Sequence, residues 1–496
     1  MKFPITVALA AMLLIPTVSR GKDLPRSTPE EQGISSAAVL SFVEAADSQF
    51  DSLHSFMLVR HGHVVAEGWW APYHAEARHS LYSLSKSFAS TAIGLAIEEG
   101  KLSLHDPVVK FFPEDLRAAP SDHLQAMRVS DLLRMATGHQ SEPPRTDSVP
   151  WTRSFLEHPV PFKPGTHFLY NTSATYMQSA IVQKVTEVKL IDYLRPRLFD
   201  PLGIENPQWE TSPQGISTGG YGLSIRTEDI ARFGQLYLQK GKWNGQQLVP
   251  EKWISEATAR QTATGSNPAS DWDQGYGYQF WRCRHGAFRG DGAFGQYCVV
   301  LPELDAVIAI TSGVKNMPDV LNVVWDRLLP AFHAEPQAPN PEVAAKLKQT
   351  LASLRIPPQT GAAMPPKILG KQYAIAQNKH QLEAVRFESG PAAGEVTISL
   401  RCNGTEYPTV CRSGDWTRGR TAFSGGASQP VAVSGAWTAD DTFTAQYCFY
   451  ETPFTATVRF KFTGDEVLAD CQYNASFGPA ADFKLRGTTG PSSSDK

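Results

Sequence analysis

Apolar and polar positions follow two different periods along this chain. Phe454, Ala456, Val458, Phe460 and Phe462 alternate with Thr455, Thr457, Arg459 and Lys461, the period of two that sets one face of a strand on a core. Over residues 83–99 the pattern is helical. Phe88, Ala89, Ala92, Ile93, Gly94, Leu95, Ala96 and Ile97 fill its middle, with no charge between Lys86 and Glu98. A helix that is apolar on nearly every side is a buried one, and Gly100 supplies its C-terminal cap. A surface helix is predicted over 36–47, capped by Ser35 or Ser36. Strands over 55–60 and 64–70 are joined by His61-Gly62-His63 as a hairpin. An amphipathic helix starts at Thr227. Strands follow over 276–283, 296–301 and 306–311, and a helix over 320–329.

Strands at both ends with helices between them predict an α+β unit over residues 22–335, an antiparallel sheet flanked by helices with a helical insertion over 105–215. Seven prolines from Pro336 to Pro366 mark residues 336–366 as a linker carrying a short helix over 343–354. Beyond it the signal is strand: 396–402, 431–437 and 443–450 join the alternating run. Residues 367–488 are expected to be an all-β sandwich or barrel, and 489–496 a disordered tail.

Composition changes this picture little. The chain has 496 residues, 42% hydrophobic and 19% charged, with a net charge of -3. That balance gives no global attraction to nucleic acid or to anionic membrane. The N-terminus reads as an export signal over residues 1–21: Lys2, an apolar run from Ile5 to Val18, then Ser19-Arg20-Gly21 as a cleavage site. The run is short for a membrane span, and no integral span is expected in the mature, periplasmic or secreted chain. Six cysteines in an exported protein permit disulfides. Neighbour pairing gives Cys283–Cys298, Cys402–Cys411 and Cys448–Cys471; buried free thiols are the other reading. The spacings match no zinc site, and no metal or cofactor is expected.

The candidate chemistry is Ser83-Leu84-Ser85-Lys86 at the head of the buried helix. Ser83 and Lys86 share a helical face. Apolar surroundings lower the pKa of an ammonium and free the amine to act as a base. The Ser83 N–H at a helix N-terminus suits a developing oxyanion. A second copy, Ser312-Gly313-Val314-Lys315, follows a strand and is read as a loop. Gly215-Ile216-Ser217-Thr218-Gly219 resembles a nucleophile elbow, without the strand before it and helix after it that such an elbow needs. Gly290-Asp291-Gly292-Ala293-Phe294-Gly295 resembles a dinucleotide fingerprint but leads into a strand, which leaves no helix N-terminus for a phosphate. No histidine pairs with Ser83 by spacing.

Residues 25–335 resemble the serine β-lactamase and penicillin-binding-protein family, nearest its class C and esterase-like branch. The resemblance rests on stretches in the family's order. They are Ser83-Leu84-Ser85-Lys86, Leu104-His105-Asp106-Pro107-Val108, Val129-Ser130-Asp131-Leu132-Leu133, Pro164-Gly165-Thr166 leading to Tyr170, Pro201-Leu202-Gly203-Ile204, Gly220-Tyr221-Gly222-Leu223 and Asp291-Gly292-Ala293-Phe294. It implies a sheet domain and a helical lobe with the active site between them. In the family's Tyr-x-Asn triplet, Tyr170 fits the tyrosine, and a phenol near an ammonium is expected to have a lowered pKa. Asn171 comes one position early, and Thr172 stands where the family has Asn. Asp291-Gly292-Ala293 stands at the family's Lys-Thr-Gly, and the resemblance makes the N–H of Phe294 the second oxyanion donor. Asn171, Asp291, Gly292, Ala293 and Phe294 are therefore the expected substrate-side residues.

Asp291 replaces a cation that holds substrate carboxylates in the family. Two readings stand. Either Asp291 faces the substrate and disfavours carboxylates while favouring neutral or amine-bearing groups, or it points to solvent, neutralised by Arg289 or Arg282. The expected function is an exported serine hydrolase that forms an acyl-enzyme with a small ester, amide or peptide, through Ser83, Lys86 and Tyr170. The alternative is a catalytically weak penicillin-binding-like binding or regulatory module.

Overall fold

The computed structural model describes residues 23–422, 428–478 and 482–489. The expected leader lies outside them, as does the expected tail beyond Thr489. The first domain opens with α1 (Ser36–Gln49), whose N-cap Ser35 accepts from the Ala38 N–H at 3.2 Å. Next come the hairpin β1 (Leu53–Arg60) and β2 (His63–Trp69), then α2 (Ser85–Glu98). The helical lobe is built around α3 (Thr172–Thr186). The chain returns through α4 (Thr227–Leu238) to β3 (Trp281–Arg282), β4 (Phe288–Gly292), β5 (Gln296–Leu301) and β6 (Ala306–Ser312).

These strands form a six-stranded antiparallel sheet in the order β2-β1-β6-β5-β4-β3 among the described residues. Both faces are covered, which explains why β1 is buried at every position. Met57 and Val59 face the core shared with α2 and α4, where Phe88 stacks on Phe233 at 3.8 Å. Phe56 and Leu58 face the opposite core under α1.

The strand expected over 276–283 shrinks to Trp281–Arg282. Two hydroxyls of α2 capture the preceding backbone: Ser87 Oγ donates to the Gln279 carbonyl at 2.8 Å, and Ser90 Oγ to that of Tyr278 at 2.7 Å. The proline-rich stretch is not a free linker. It carries α5 (Pro341–Ser353), and Leu347 and Leu354 join the core beneath α1.

The C-terminal domain is an antiparallel sheet of β7 (Gln372–Ile375), β8 (Leu382–Ser389), β9 (Glu395–Cys402), β10 (Thr405–Arg412), β11 (Thr417–Thr421), β12 (Gln429–Ala439), β13 (Thr442–Cys448), β14 (Thr455–Thr463), β15 (Glu466–Tyr473) and β16 (Phe483–Thr489). Their order is β10-β9-β8-β7-β16-β15-β14-β13-β12-β11, and its two ends lie side by side, so the sheet curls into a nearly closed barrel. Tyr373, Phe387, Ile398, Phe443 and Phe460 fill the interior.

All six cysteines are buried free thiols, which corrects the expected disulfides. Cys283 and Cys298 lie in different cores, on opposite faces of the first sheet. On β9 and β10, Cys402 pairs with Thr405 while Cys411 pairs with Val396, six residues away along the strand. Cys448 faces the first domain's core and Cys471 the barrel interior. No helix among the described residues is long and apolar enough to cross a membrane.

Candidate active site

Ser83 sits in a single 3-10 turn, Tyr82–Leu84, directly before α2, so the helix proper begins two residues later than the sequence pattern indicates. Lys86, one turn on, is buried to 1% exposure between the Tyr170 ring and the Gly220 backbone. Its Nζ lies 3.1 Å from Ser83 Oγ, 3.3 Å from Thr172 Oγ1 and 2.7 Å from the Gly220 carbonyl oxygen. Three acceptors match the three N–H bonds of an ammonium. On losing one proton, the amine still donates to Gly220 and Thr172 and turns its lone pair to the Ser83 hydroxyl. Burial pushes the Lys86 pKa down to about 7; the carboxylates of Glu142 and Asp291 oppose that shift and the Arg145 cation adds to it. A substantial fraction is therefore neutral near pH 7.

Tyr170 comes from the lobe, just before α3. Its ring stacks on Trp281 at 5.6 Å, meets Tyr276 edge-on at 6.2 Å and lies under Lys86 Nζ at 5.0 Å. The lowered pKa expected for this phenol is reversed. Burial raises it first and the Asp291 charge raises it further, while a hydrogen bond with Ser83 only partly offsets them. Tyr170 is a neutral phenol beside the serine, and Lys86 is the group placed to take a proton.

Asn171 does not face the cleft. It is fully buried and caps α3, its Oδ1 accepting from the Ala174 N–H at 3.1 Å. Thr172, the next residue, reaches Lys86 in its place. In the sequence Gly220 stands only within Gly220-Tyr221-Gly222-Leu223, one of the stretches that carry the resemblance, with no role of its own. A Cβ there would fall 2.6 Å from Thr172 Cγ2 and 3.4 Å from Lys86 Nζ, so only glycine lets its carbonyl meet the amine.

β4 edges the site. Its glycines are small because the nucleophile segment presses on them: a Cβ on Gly292 would lie 2.0 Å from the Leu81 carbonyl oxygen and 3.1 Å from the Ser83 nitrogen. Ala293 and Phe294 stand past the end of the strand, in the turn to β5. Phe294 has φ +68°, its carbonyl accepts from the Val314 N–H at 3.1 Å, and its ring packs on Tyr82 at 5.7 Å.

Asp291 is neither in solvent nor free. The Arg289 Nε donates to its carboxylate at 2.9 Å, and both side chains are buried. The guanidinium lies over Trp272 at 4.4 Å and donates to the Asp271 carbonyl at 2.9 Å. Burial raises the Asp291 pKa and Arg289 restrains the rise. A net-neutral ion pair thus replaces the cation implied by the resemblance.

Ser217 stands elsewhere, fully buried, its carbonyl accepting from Ser179 Oγ at 2.7 Å in a loop with no helix behind it. Residues 290–295 span the end of β4 and the turn into β5, and Ser312 ends β6, so the other look-alike motifs are structural.

The family model described as Beta-lactamase matches residues 32–328. The chain belongs to the beta-lactamase family. Among curated proteins it is 26% identical over 342 residues to the 6-aminohexanoate-dimer hydrolase of Paenarthrobacter ureafaciens, covering 64% of this chain and 86% of that one. It is 25% identical over 219 residues to a beta-lactamase of Escherichia coli (strain K12), covering 40% of this chain and 56% of that one. Among solved structures, a penicillin-binding protein homolog from Caulobacter crescentus aligns with a TM-score of 0.50 at 19% identity, over 61% of this chain and 98% of that one. The matches make this chain a member of a serine hydrolase family and fix the fold of its first domain.

Proposed function

We propose that this protein hydrolyses small uncharged esters or amides through an acyl-enzyme on Ser83. The observation that carries the reading is the Lys86 Nζ to Ser83 Oγ contact of 3.1 Å, made by an amine whose pKa burial brings down to about 7. Neutral Lys86 takes the Ser83 proton as Oγ attacks the carbonyl carbon. The oxyanion is held by the Ser83 N–H and by an N–H of the Gly292–Phe294 turn. As the bond to the leaving group breaks, Lys86 returns the proton to that group, with the Tyr170 hydroxyl as relay. Water then gives its proton to Lys86, attacks the acyl carbon and releases the acid, and Ser83 is reprotonated.

An uncharged substrate follows from the Arg289–Asp291 pair, which leaves neither a free cation for a carboxylate nor a free anion for an amine on this strand. The relative named 6-aminohexanoate-dimer hydrolase supports amide-bond cleavage but not the uncharged class, since a dimer of an amino acid carries an amine and a carboxylate at its ends; the uncharged class rests on the ion pair alone. Export after Gly21 is part of the proposal, tested by N-terminal sequencing of the protein recovered outside the cytoplasm.

A fluorophosphonate probe followed by peptide mapping tests the reading. Label is expected on Ser83, absent in Ser83→Ala and reduced in Lys86→Ala. No label on the folded protein would favour a binding or regulatory module instead.

A further inference from the structure

Phe477 is 72% exposed, far more than the other large apolar side chains at the described surface, Val188 at 42% and Phe162 at 38%. It belongs to the C-terminal domain, in the segment after β15, yet its ring neighbours are in the catalytic domain. Its centroid lies 4.7 Å from Phe294 and 5.3 Å from Tyr82. Phe454, also from the C-terminal domain, completes the set at 5.4 Å from Phe294 and 6.2 Å from Tyr82. Tyr82 is the residue before the nucleophile, and Phe294 is in the turn that follows Gly292. The four rings therefore cluster beside the two backbone segments that carry the nucleophile and follow Gly292.

This cluster is held in place. Asn474, three residues before Phe477, clamps the two domains together: the two hydrogens of its Nδ2 are shared among Ser52 Oγ, the Gly313 carbonyl and the Pro453 carbonyl, each at 2.9 Å. Its Oδ1 accepts from the Thr455 N–H at 2.7 Å, fixing the chain next to Phe454. On the catalytic side, Tyr82 and Phe294 have φ +47° and +68°. That region is unfavourable for bulky side chains and persists only where surrounding structure holds it. An anchored, solvent-facing phenylalanine beside a nucleophile is apolar surface waiting for apolar substrate.

We propose that Phe477 and Phe454 complete an apolar subsite with Tyr82 and Phe294, through which the C-terminal domain selects substrates carrying an alkyl or aryl group next to the scissile carbonyl. The proposal rests on Ser83 as the nucleophile and adds the substrate class. The subsite lies open on one side, where a chain or ring covers Phe477 and is covered by it. The second domain is then part of the specificity apparatus of the first.

The test varies both sides of the scissile bond, comparing p-nitrophenyl acetate with p-nitrophenyl hexanoate, and methyl with benzyl hexanoate, whose leaving groups are equally basic, in the full-length protein. On one of the two sides the larger group is expected to be preferred in kcat/KM by about tenfold or more. Phe477→Ala is expected to collapse that ratio towards one, and Phe477→Leu to recover part of it. A ratio unchanged in Phe477→Ala on both sides overturns the proposal. A second readout does not need turnover: in Ser83→Ala, equilibrium binding of the same esters is expected to show the same preference, lost when Phe477→Ala is added. If the fluorophosphonate fails to mark Ser83 but this binding preference holds and depends on Phe477, the hydrolase reading falls and the subsite stands. If Ser83 is marked and no preference depends on Phe477, the reverse is true.

Discussion

Lys86 Nζ lies 2.7 Å from the carbonyl oxygen of Gly220, a shorter contact than the amine makes with the serine it is placed to activate. That carbonyl orients the amine. It takes one N–H and, with Thr172, leaves the remaining valence facing Ser83. In Gly220→Ala the new methyl group would overlap Thr172 Cγ2, at 2.6 Å, and crowd Nζ, at 3.4 Å. Movement of this loop by a fraction of an ångström misaligns the base. The expected result is a fall in kcat of about 10- to 100-fold with KM little changed, since the contact matters to proton transfer more than to substrate binding. Steady-state kinetics on one neutral ester checks it.

The pH dependence follows from which form of each group is active. Lys86 works as the neutral amine, so kcat/KM should rise with pH through about 7 and level off above it. Tyr170 works as the neutral phenol, and its pKa is pushed up, so no descending limb from it is expected through pH 9. Tyr170→Phe should lower kcat by roughly 10²- to 10⁴-fold, as for loss of a proton-transfer group, yet keep an ascending limb near pH 7. A limb that vanished with the phenol would make Tyr170, and not Lys86, the titrating base.

Asp291 links stability to the site's proton affinity. Asp291→Asn leaves the Arg289 cation buried without its carboxylate partner, and loss of one member of a buried pair costs about 3–5 kcal/mol. The Asp291 charge also raises the Lys86 pKa, so its removal should move the ascending limb to lower pH. Denaturant unfolding and the kcat/KM profile of the same variant measure the two effects. A stability loss without any shift of the limb would confine Asp291 to a structural role.

How far the site is legible in the sequence depends on whether a residue's neighbours in the chain carry its environment. Ser83 and Lys86 are legible because the apolar run behind them announces burial, and Tyr170 because Pro164-Gly165-Thr166 places it. Gly220 is not, because it acts through a backbone carbonyl that meets Lys86 from 134 residues away. Asn171 misleads because a buried Asn before a helix serves equally well as a cap or as a ligand. In the fold, the period-two run of β14 reads correctly, and the apolar alternation Tyr276, Tyr278, Phe280 does not. There, hydroxyls on α2 hold the backbone carbonyls that a strand would have paired. The cysteines mislead because sequence proximity fixes neither the core that a side chain faces, as for Cys283 and Cys298, nor its level along paired strands, as for Cys402 and Cys411.

The seam between the domains holds a buried pair of histidines whose protonation should govern acid stability. His79 Nδ1 lies 3.0 Å from the Ser80 carbonyl, His79 Nε2 lies 3.0 Å from His54 Nδ1, and His54 Nε2 lies 2.9 Å from Ser52 Oγ. With Ser80 as a fixed acceptor, the proton order follows: His79 donates from Nδ1 and accepts at Nε2 from His54, which in turn accepts from Ser52. Asn474 donates to that serine, so the chain runs into the clamp that holds the C-terminal domain. Both rings are neutral in this arrangement. Burial pushes the His79 pKa down to about 4, and burial with its histidine neighbour pushes that of His54 well below the usual range. These folded-state values lie below the unfolded value, so the unfolded chain binds more protons as the pH drops, and stability is lost between about pH 6.5 and pH 4. His79 alone should contribute on the order of 2–3 kcal/mol of loss between pH 7 and pH 4.5. Denaturant unfolding at the two pH values measures it. His79→Gln, which can keep a donor and an acceptor without titrating, should show a smaller fall; an equal fall would assign the acid loss to other groups.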